Sequence, residues 1–182
     1  MKTIQGELPG LLIFEPKVFG DSRGYFVETY QRERYAAAGL GVEFVQDNLS
    51  YSRRGILRGL HFQNPAPQGK LVSVLQGEVF DVAVDMRRSS PAFGRWQAVT
   101  LDGESKRQMY VPPGFAHGFQ VVSETVLFHY KCTTNYAPAN EVTIRWDDPQ
   151  LAIPWPLGDP LLSAKDKSAP TLRELPPEKL FE

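Results

Sequence analysis

From residue 42 to residue 146 the chain is a succession of short alternating apolar runs, each closed by glycine, proline or small polar residues. Residues 44–52, 71–75, 78–85, 93–101, 108–111, 118–122, 125–131 and 141–146 read as strands. They are separated by Gln76-Gly77, Asp102-Gly103, Pro112-Pro113-Gly114, Ser123-Glu124 and the 135–140 loop. A side-chain period of two with turn residues at regular spacing defines an antiparallel sandwich or barrel. Gln76-Gly77 reads as the turn of a hairpin joining 71–75 to 78–85. Within 44–52, Gln46, Asn48 and Ser50 share one face, a polar stripe that is unusual beside so many apolar runs.

The flanks differ. Residues 11–19 form an apolar extended run whose Pro16 marks an edge or a bend, with no obvious hairpin partner nearby, so pairing with another chain is expected. A turn over 20–24 leads into a strand at 25–30, with Phe26 and Glu28 on one face and Arg23 just before it. Residues 31–38, QRERYAAA, are the best helix candidate, stopped by Gly39 and Gly41. Beyond Trp146 the prolines at 149, 154, 156 and 160 predict a tail that wraps the sheet rather than adding to it. The expected organisation is a single domain over 1–182: N-terminal strands and a short helix to residue 40, a β-barrel core over 41–146, and a wrapping segment over 147–182.

Composition sets mild bounds. With 182 residues, 42% hydrophobic and 23% charged, one well-buried domain suffices. A formal net charge of -1 gives no general attraction to nucleic acid, so any phosphate site is local and the partner small. The lone cysteine, Cys132, excludes an intrachain disulfide framework and fits a reducing compartment. No stretch approaches membrane-spanning length, and a cytoplasmic location is expected.

The chemistry gathers in residues 55–70, GILRGLHFQNPAPQGK. Arg58 suits a phosphate, His61 moves protons near neutrality and Lys70 faces an anion. Taken alone, the same residues also describe a solvated strand edge holding a core histidine. Strand alternation places His61 on the face of Gly59 rather than that of Arg58, unless a bulge at Gly59 re-aims one of them. The two prolines after Asn64 force a loop, and Lys70 opens the next strand. A second run, Pro112-Pro113-Gly114-Phe115-Ala116-His117-Gly118, has the P-x-G-x-x-H form of the second cupin motif. A metal-binding cupin also needs an H-x-H pair, which here reads His61-Phe62-Gln63, so no metal and no other cofactor is expected.

Seven blocks in order carry a family resemblance: Arg23-Gly24-Tyr25-Phe26-x-Glu28; Gln46-Asp47-Asn48; the run 57–63; the run 68–72; the run 77–85; the run 113–119; and Leu162-Ser163-Ala164-Lys165-Asp166. Together they resemble the dTDP-4-dehydrorhamnose 3,5-epimerases. The resemblance implies an all-β cupin-type jelly roll with a few short peripheral helices and a dTDP-linked 4-keto-6-deoxyhexose as substrate. It also implies a homodimer that exchanges its N-terminal region. By the same resemblance His61 is the base, Asp166 fixes its tautomer, Tyr130 is the acid and Lys70 faces the enolate oxygen. Arg58 and Arg23 are similar to diphosphate contacts. Gln46, Asp47, Asn48 and Glu28 resemble nucleotide-binding residues, Phe26 a stacking partner, and His117, Tyr136, Glu141 and Lys165 the lining of the same pocket. A relative that inverts C3 alone, a ketoisomerase and a non-catalytic nucleotide-sugar-binding sandwich are the alternatives that keep much of this pattern.

Overall fold

The computed structural model describes residues 1–182. In chain order its elements are β1 (Lys2–Gln5), β2 (Leu12–Glu15), β3 (Val18–Asp21), β4 (Gly24–Val27), α1 (Arg32–Ala37), β5 (Gln46–Arg53), β6 (Leu57–Gln63), β7 (Lys70–Gln76), β8 (Glu78–Asp85), β9 (Trp96–Asp102), β10 (Gln108–Val111), β11 (Phe115–Val121), β12 (Thr125–Cys132), β13 (Glu141–Thr143) and α2 (Ala164–Lys167). They form a six-stranded sheet in the order β1-β2-β10-β7-β12-β5, a five-stranded sheet in the order β13-β6-β11-β8-β9, and the separate β3–β4 hairpin. No helix is long and apolar enough to cross a membrane.

The two large sheets face one another, and period-two alternation decides what lies between them. On β8, Val79 and Ala83 point inward, joining Val72, Val74, Phe115, Phe119 and Phe128 in the inner core. Val82 and Val84, one residue out of phase, point outward and pack with Leu60 and Phe62 under tail residues Leu172, Leu175 and Phe181. These apolar residues of the tail close one outer face. On the other sheet Leu12, Phe14, Leu71 and Tyr110 point outward and are covered by Tyr35 and Leu40. Tyr35 belongs to α1, which Gln31 caps by accepting a bond from the Arg34 backbone N–H and which gives way at Gly39, φ +99°. Each large apolar side chain buried in these layers is worth about 1.5–3 kcal/mol relative to exposure.

Three expectations need correction. Residues 71–75 and 78–85 are not a hairpin, for β7 pairs with β10 and β12 while β8 pairs with β11 and β9. Gly77, φ +86°, turns the corner from one sheet to the other so closely over the Thr125 carbonyl that any side chain there would collide with it. Nor is the run 11–19 unpaired: β2 is held by β1 on one side and β10 on the other, and Val18–Asp21 pairs with β4. The backbone edge that called for another chain is satisfied within this one. The predicted strands at 25–30, 93–101 and 141–146 shorten to Gly24–Val27, Trp96–Asp102 and Glu141–Thr143.

Candidate active site

The inner faces of the two sheets enclose a cleft. A cavity of about 650 Å³ is lined by Arg58, His61, Lys70, His117, Tyr130, Lys165 and Asp166 among others. An adjoining one of about 360 Å³ shares His61, Lys70 and Tyr130 with it and adds Gln46, Asn48, Tyr136 and Glu141. Strand register explains the gathering. Across β5, β12 and β7 the directly opposed residues are Gln46, Cys132 and Lys70, then Asn48, Tyr130 and Val72, then Ser50, Phe128 and Val74. The polar stripe on β5 faces the cleft, and the rows grade from polar to apolar.

On the opposite sheet His61 stands directly across from His117, and Arg58 from Phe119. Between these pairs β6 carries two residues, Gly59 and Leu60, where β11 carries one, Gly118. This is a β-bulge, and the extra residue brings Arg58 and His61 onto the same cavity although simple alternation separates them. Gly59, φ +130°, is required there, because a Cβ would sit 2.5 Å from the Gly118 Cα.

His61 Nε2 donates to the Asp166 carboxylate at 2.6 Å. Asp166 is only 3% exposed and lies in α2, whose first turn is capped by the Ser163 hydroxyl accepting the Asp166 backbone N–H. Burial alone would push the Asp166 carboxyl up, but the bond and charge of His61, with smaller help from Ser163 and Lys165, together outweigh it and hold the carboxyl below its usual range. Burial holds the Lys70 ammonium below the ordinary lysine value, against the fields of Cys132, Glu141 and Asp81, which favour its charged form. Burial likewise pushes the Tyr130 phenol up, with Arg58 opposing. Neither the Lys70 ammonium nor the Tyr130 hydroxyl has a hydrogen-bond partner in the protein, so both are free to meet a ligand. The cleft thus presents a carboxylate-oriented imidazole, an ammonium and a phenol to one space.

The remaining candidates divide. Glu141 bridges two elements, pairing with Lys165 at 2.8 Å and accepting from the Tyr136 hydroxyl at 2.8 Å; these bonds overcome burial and hold it ionised. Gln46 accepts from the Tyr136 backbone N–H at 2.8 Å and donates to Asn48 at 2.9 Å. Arg58 Nε donates to the Ser52 hydroxyl at 3.1 Å, which aims its fork. Gln63, where a metal site would want histidine, spends its amide on the backbone of Ala66 and Ala137. Asp47 is not part of the cleft: it is out of phase with Gln46 and Asn48 and pairs on the outer face with Lys131 at 2.8 Å. Arg23, Phe26 and Glu28 are not in it either. Arg23 pairs with Asp21 at 2.5 Å in the β3–β4 turn, Glu28 pairs with Arg34 at 2.9 Å, and Phe26 is 67% exposed. Sequence reasoning gave no role to Ser52, which continues the Gln46, Asn48, Ser50 alternation, or to Asp81, a carboxylate at an inward register between Val79 and Ala83.

The two facing sheets make this a cupin-type jelly roll, with titratable side chains gathered in its interior. The chain belongs to the dTDP-4-dehydrorhamnose 3,5-epimerase family and is an isomerase: the sequence profile of that family matches residues 5–174. A dTDP-4-dehydrorhamnose 3,5-epimerase from Pseudomonas aeruginosa is 56% identical over 92% of this chain and 93% of its own. Another from Methanothermobacter thermautotrophicus is 49% identical over 96% of each. Among solved structures, the dTDP-6-deoxy-D-glucose-3,5-epimerase of Legionella pneumophila in complex with dTDP-4-keto-L-rhamnose is 53% identical. It superposes with a TM-score of 0.96 over 100% of this chain and 97% of its own.

Proposed function

We propose that this protein, acting as one domain over residues 1–182 in the cytoplasm, inverts C3 and C5 of dTDP-4-dehydro-6-deoxy-D-glucose to give dTDP-4-dehydro-L-rhamnose. The observation that carries the reading is the 2.6 Å His61–Asp166 pair opening onto the same cavity as Lys70 and Tyr130. A ketone at C4 acidifies the hydrogens at C3 and C5, so the task is to remove a proton from one face, hold the enolate and return a proton to the other. His61 Nε2 is committed to Asp166, which leaves Nδ1 to take the proton while the carboxylate stabilises the imidazolium. Lys70 stabilises the enolate oxygen that develops at C4, in a site where low dielectric makes such a charge count. Tyr130 delivers its hydroxyl proton from the opposite side, its transient phenolate eased by Arg58; exchange with water resets both groups. Arg58, Gln46, Asn48, His117, Tyr136, Glu141 and Lys165 bind the sugar nucleotide. The complex of the Legionella relative with dTDP-4-keto-L-rhamnose supports this substrate class.

The active unit in this reading is a homodimer. The β3–β4 hairpin joins neither large sheet and carries Phe19, Tyr25 and Phe26 at 52%, 61% and 67% exposure. The outer face of the edge strand β5 shows Leu49 and Tyr51, 60% and 57% exposed, while Gln46, Asn48 and Ser50 point inward. Apolar side chains concentrated on such surfaces mark an interface. A second copy covering them would carry Arg23 and Phe26 into its neighbour's nucleotide site. The fully exposed Arg23–Asp21 pair gives way readily to a diphosphate, whose geometry suits the guanidinium fork.

Incubation with dTDP-4-keto-6-deoxyglucose in heavy water, read by NMR, tests the chemistry. Deuterium at both C3 and C5 is expected. Deuterium at C3 alone replaces the reading with a 3-epimerase or a ketoisomerase, and deuterium at neither removes these enzyme readings and leaves a binding protein.

A further inference from the structure

Asp81 is 0% exposed, and its carboxylate faces the barrel interior in an otherwise apolar row between Val79 and Ala83. A wholly buried carboxylate is costly to keep unless it is hydrogen-bonded. Its side-chain partner is His117, whose Nε2 lies 2.8 Å and 3.1 Å from the two carboxylate oxygens. In the β8–β11 register Ala83 is opposite His117 and Phe119 opposite Asp81, so the pair is a cross-strand diagonal.

The His117 ring is held in a second way. It stacks on Phe128, ring centroids 6.2 Å apart and planes 23° apart, and it is 7% exposed. With Nε2 taken by Asp81, Nδ1 has no partner in the protein, and His117 lines the larger cavity. Across the β6–β11 ladder stands His61, which is likewise tied through Nε2 to a buried carboxylate, Asp166, with Nδ1 free. Two histidine–aspartate pairs therefore sit side by side on one row of the sheet. One carboxylate comes from within the sheet and the other from the tail.

We propose that Asp81 is a positioning residue for the reaction: it fixes His117 as the Nε2–H tautomer, so that Nδ1 accepts a hydrogen bond from a hydroxyl of the bound hexose beside the carbon that His61 deprotonates. A neutral imidazole has one donor and one acceptor nitrogen, and a carboxylate on one nitrogen dictates the role of the other. A hydroxyl donates to the acceptor so created; a diphosphate, which only accepts, does not. The proposal rests on the sugar-nucleotide reading above, but its test is separate from isotope exchange.

Long-range proton–nitrogen NMR on protein labelled with 15N-histidine, with His117 assigned by loss of its signals in His117→Gln, reads the tautomer directly. The expected result is Nε2–H for His117 in the free protein and with saturating dTDP-glucose, with the Nδ1 resonance shifting on binding. An Nδ1–H tautomer, an imidazolium in the complex, or an Nδ1 that does not move overturns the proposal. In parallel, Asp81→Asn preserves shape and loosens the choice of tautomer; kcat/KM should fall about tenfold or more. In a His117→Gln background the same substitution should change kcat/KM by less than about twofold, since its effect passes through the imidazole. Parental kcat/KM in Asp81→Asn, or an equal loss in both backgrounds, contradicts it. Should Asp81→Asn fail to fold, the tautomer of the parent protein decides alone.

Discussion

The cleft and the β3–β4 hairpin make opposite use of the same residue types. In the cleft, charged and aromatic side chains are held by buried partners: His61 by Asp166, His117 by Asp81 and Phe128, Arg58 by Ser52. In the hairpin, Arg23 is held only by the neighbouring Asp21, and Phe19 and Phe26 stand in solvent. Burial in the first case fixes orientations that proton transfer needs. Exposure in the second leaves the side chains without a packing surface in this chain, and an isolated two-stranded ribbon has little stability of its own. In the proposed reading, chemistry is built into one chain and part of the binding is left for a partner to complete.

The sharpest way to test that division is to attack the cleft. His61→Ala should abolish both isotope exchange and net epimerisation, a loss of about a thousandfold or more, or ~4 kcal/mol in barrier height. Tyr130→Phe retains the base, so epimerisation should fall steeply while some exchange at C3 or C5 survives. A His61→Ala enzyme within about tenfold of the parent rate means that another group is the base. Stability should separate the two regions almost as well. Phe128, 1% exposed and stacked on Phe119 with ring centroids 4.1 Å apart, should cost about 3–5 kcal/mol on replacement by alanine. Phe26→Ala should change the unfolding free energy of the isolated chain by less than about 0.5 kcal/mol. Denaturant titrations that find similar losses at the two positions would erase the contrast.

Acid acts on the barrel through its buried carboxylates. Asp85 accepts from Arg87 and Ser90; burial raises its carboxyl, but those bonds outweigh burial and hold it below the usual aspartate range. Because the folded value lies below the unfolded one, near 3.9, this stabilisation is fully present above that value and is lost as pH falls through the folded value. Asp85→Asn should therefore be less stable than the parent at pH 7, by about 1.5–3 kcal/mol, with the gap narrowing below about pH 4. A gap that is constant with pH would show that the charge is not what the site uses. The smallest effect expected is none: dialysis against a chelator should leave the rate unchanged, since Gln63 occupies the position where a metal-binding pair would need histidine. Restoration of a lost rate by added zinc, iron or manganese would contradict this.

What the sequence made legible was set by local periodicity. Alternation gave the antiparallel fold and the inward polar stripe of Gln46, Asn48 and Ser50. It also excluded Asp47 from that stripe, a point the motif Gln46-Asp47-Asn48 obscured. Pairing between distant segments was not legible. Gln76-Gly77 looks the same whether it closes a hairpin or, as here, carries the chain between sheets, and β2 finds a partner in β10 far along the chain. The Gly59 bulge was legible only as a condition, because it depends on Gly118 in the facing strand leaving room. Asp81 was visible as a charge at an inward register, but its partner is set by a diagonal contact between β8 and β11.

The most direct test of a self-contained cleft and a shared hairpin is complementation between two nearly inactive variants, Arg23→Ala and His61→Ala, mixed under conditions that let subunits exchange. If the hairpin serves the neighbour, two-fold symmetry puts both defects of a mixed dimer in one site and leaves the other intact. Each mixed dimer should recover up to about half of the parental activity. Continued inactivity after demonstrated exchange, or full activity from a monomer, would show that each chain carries its whole site.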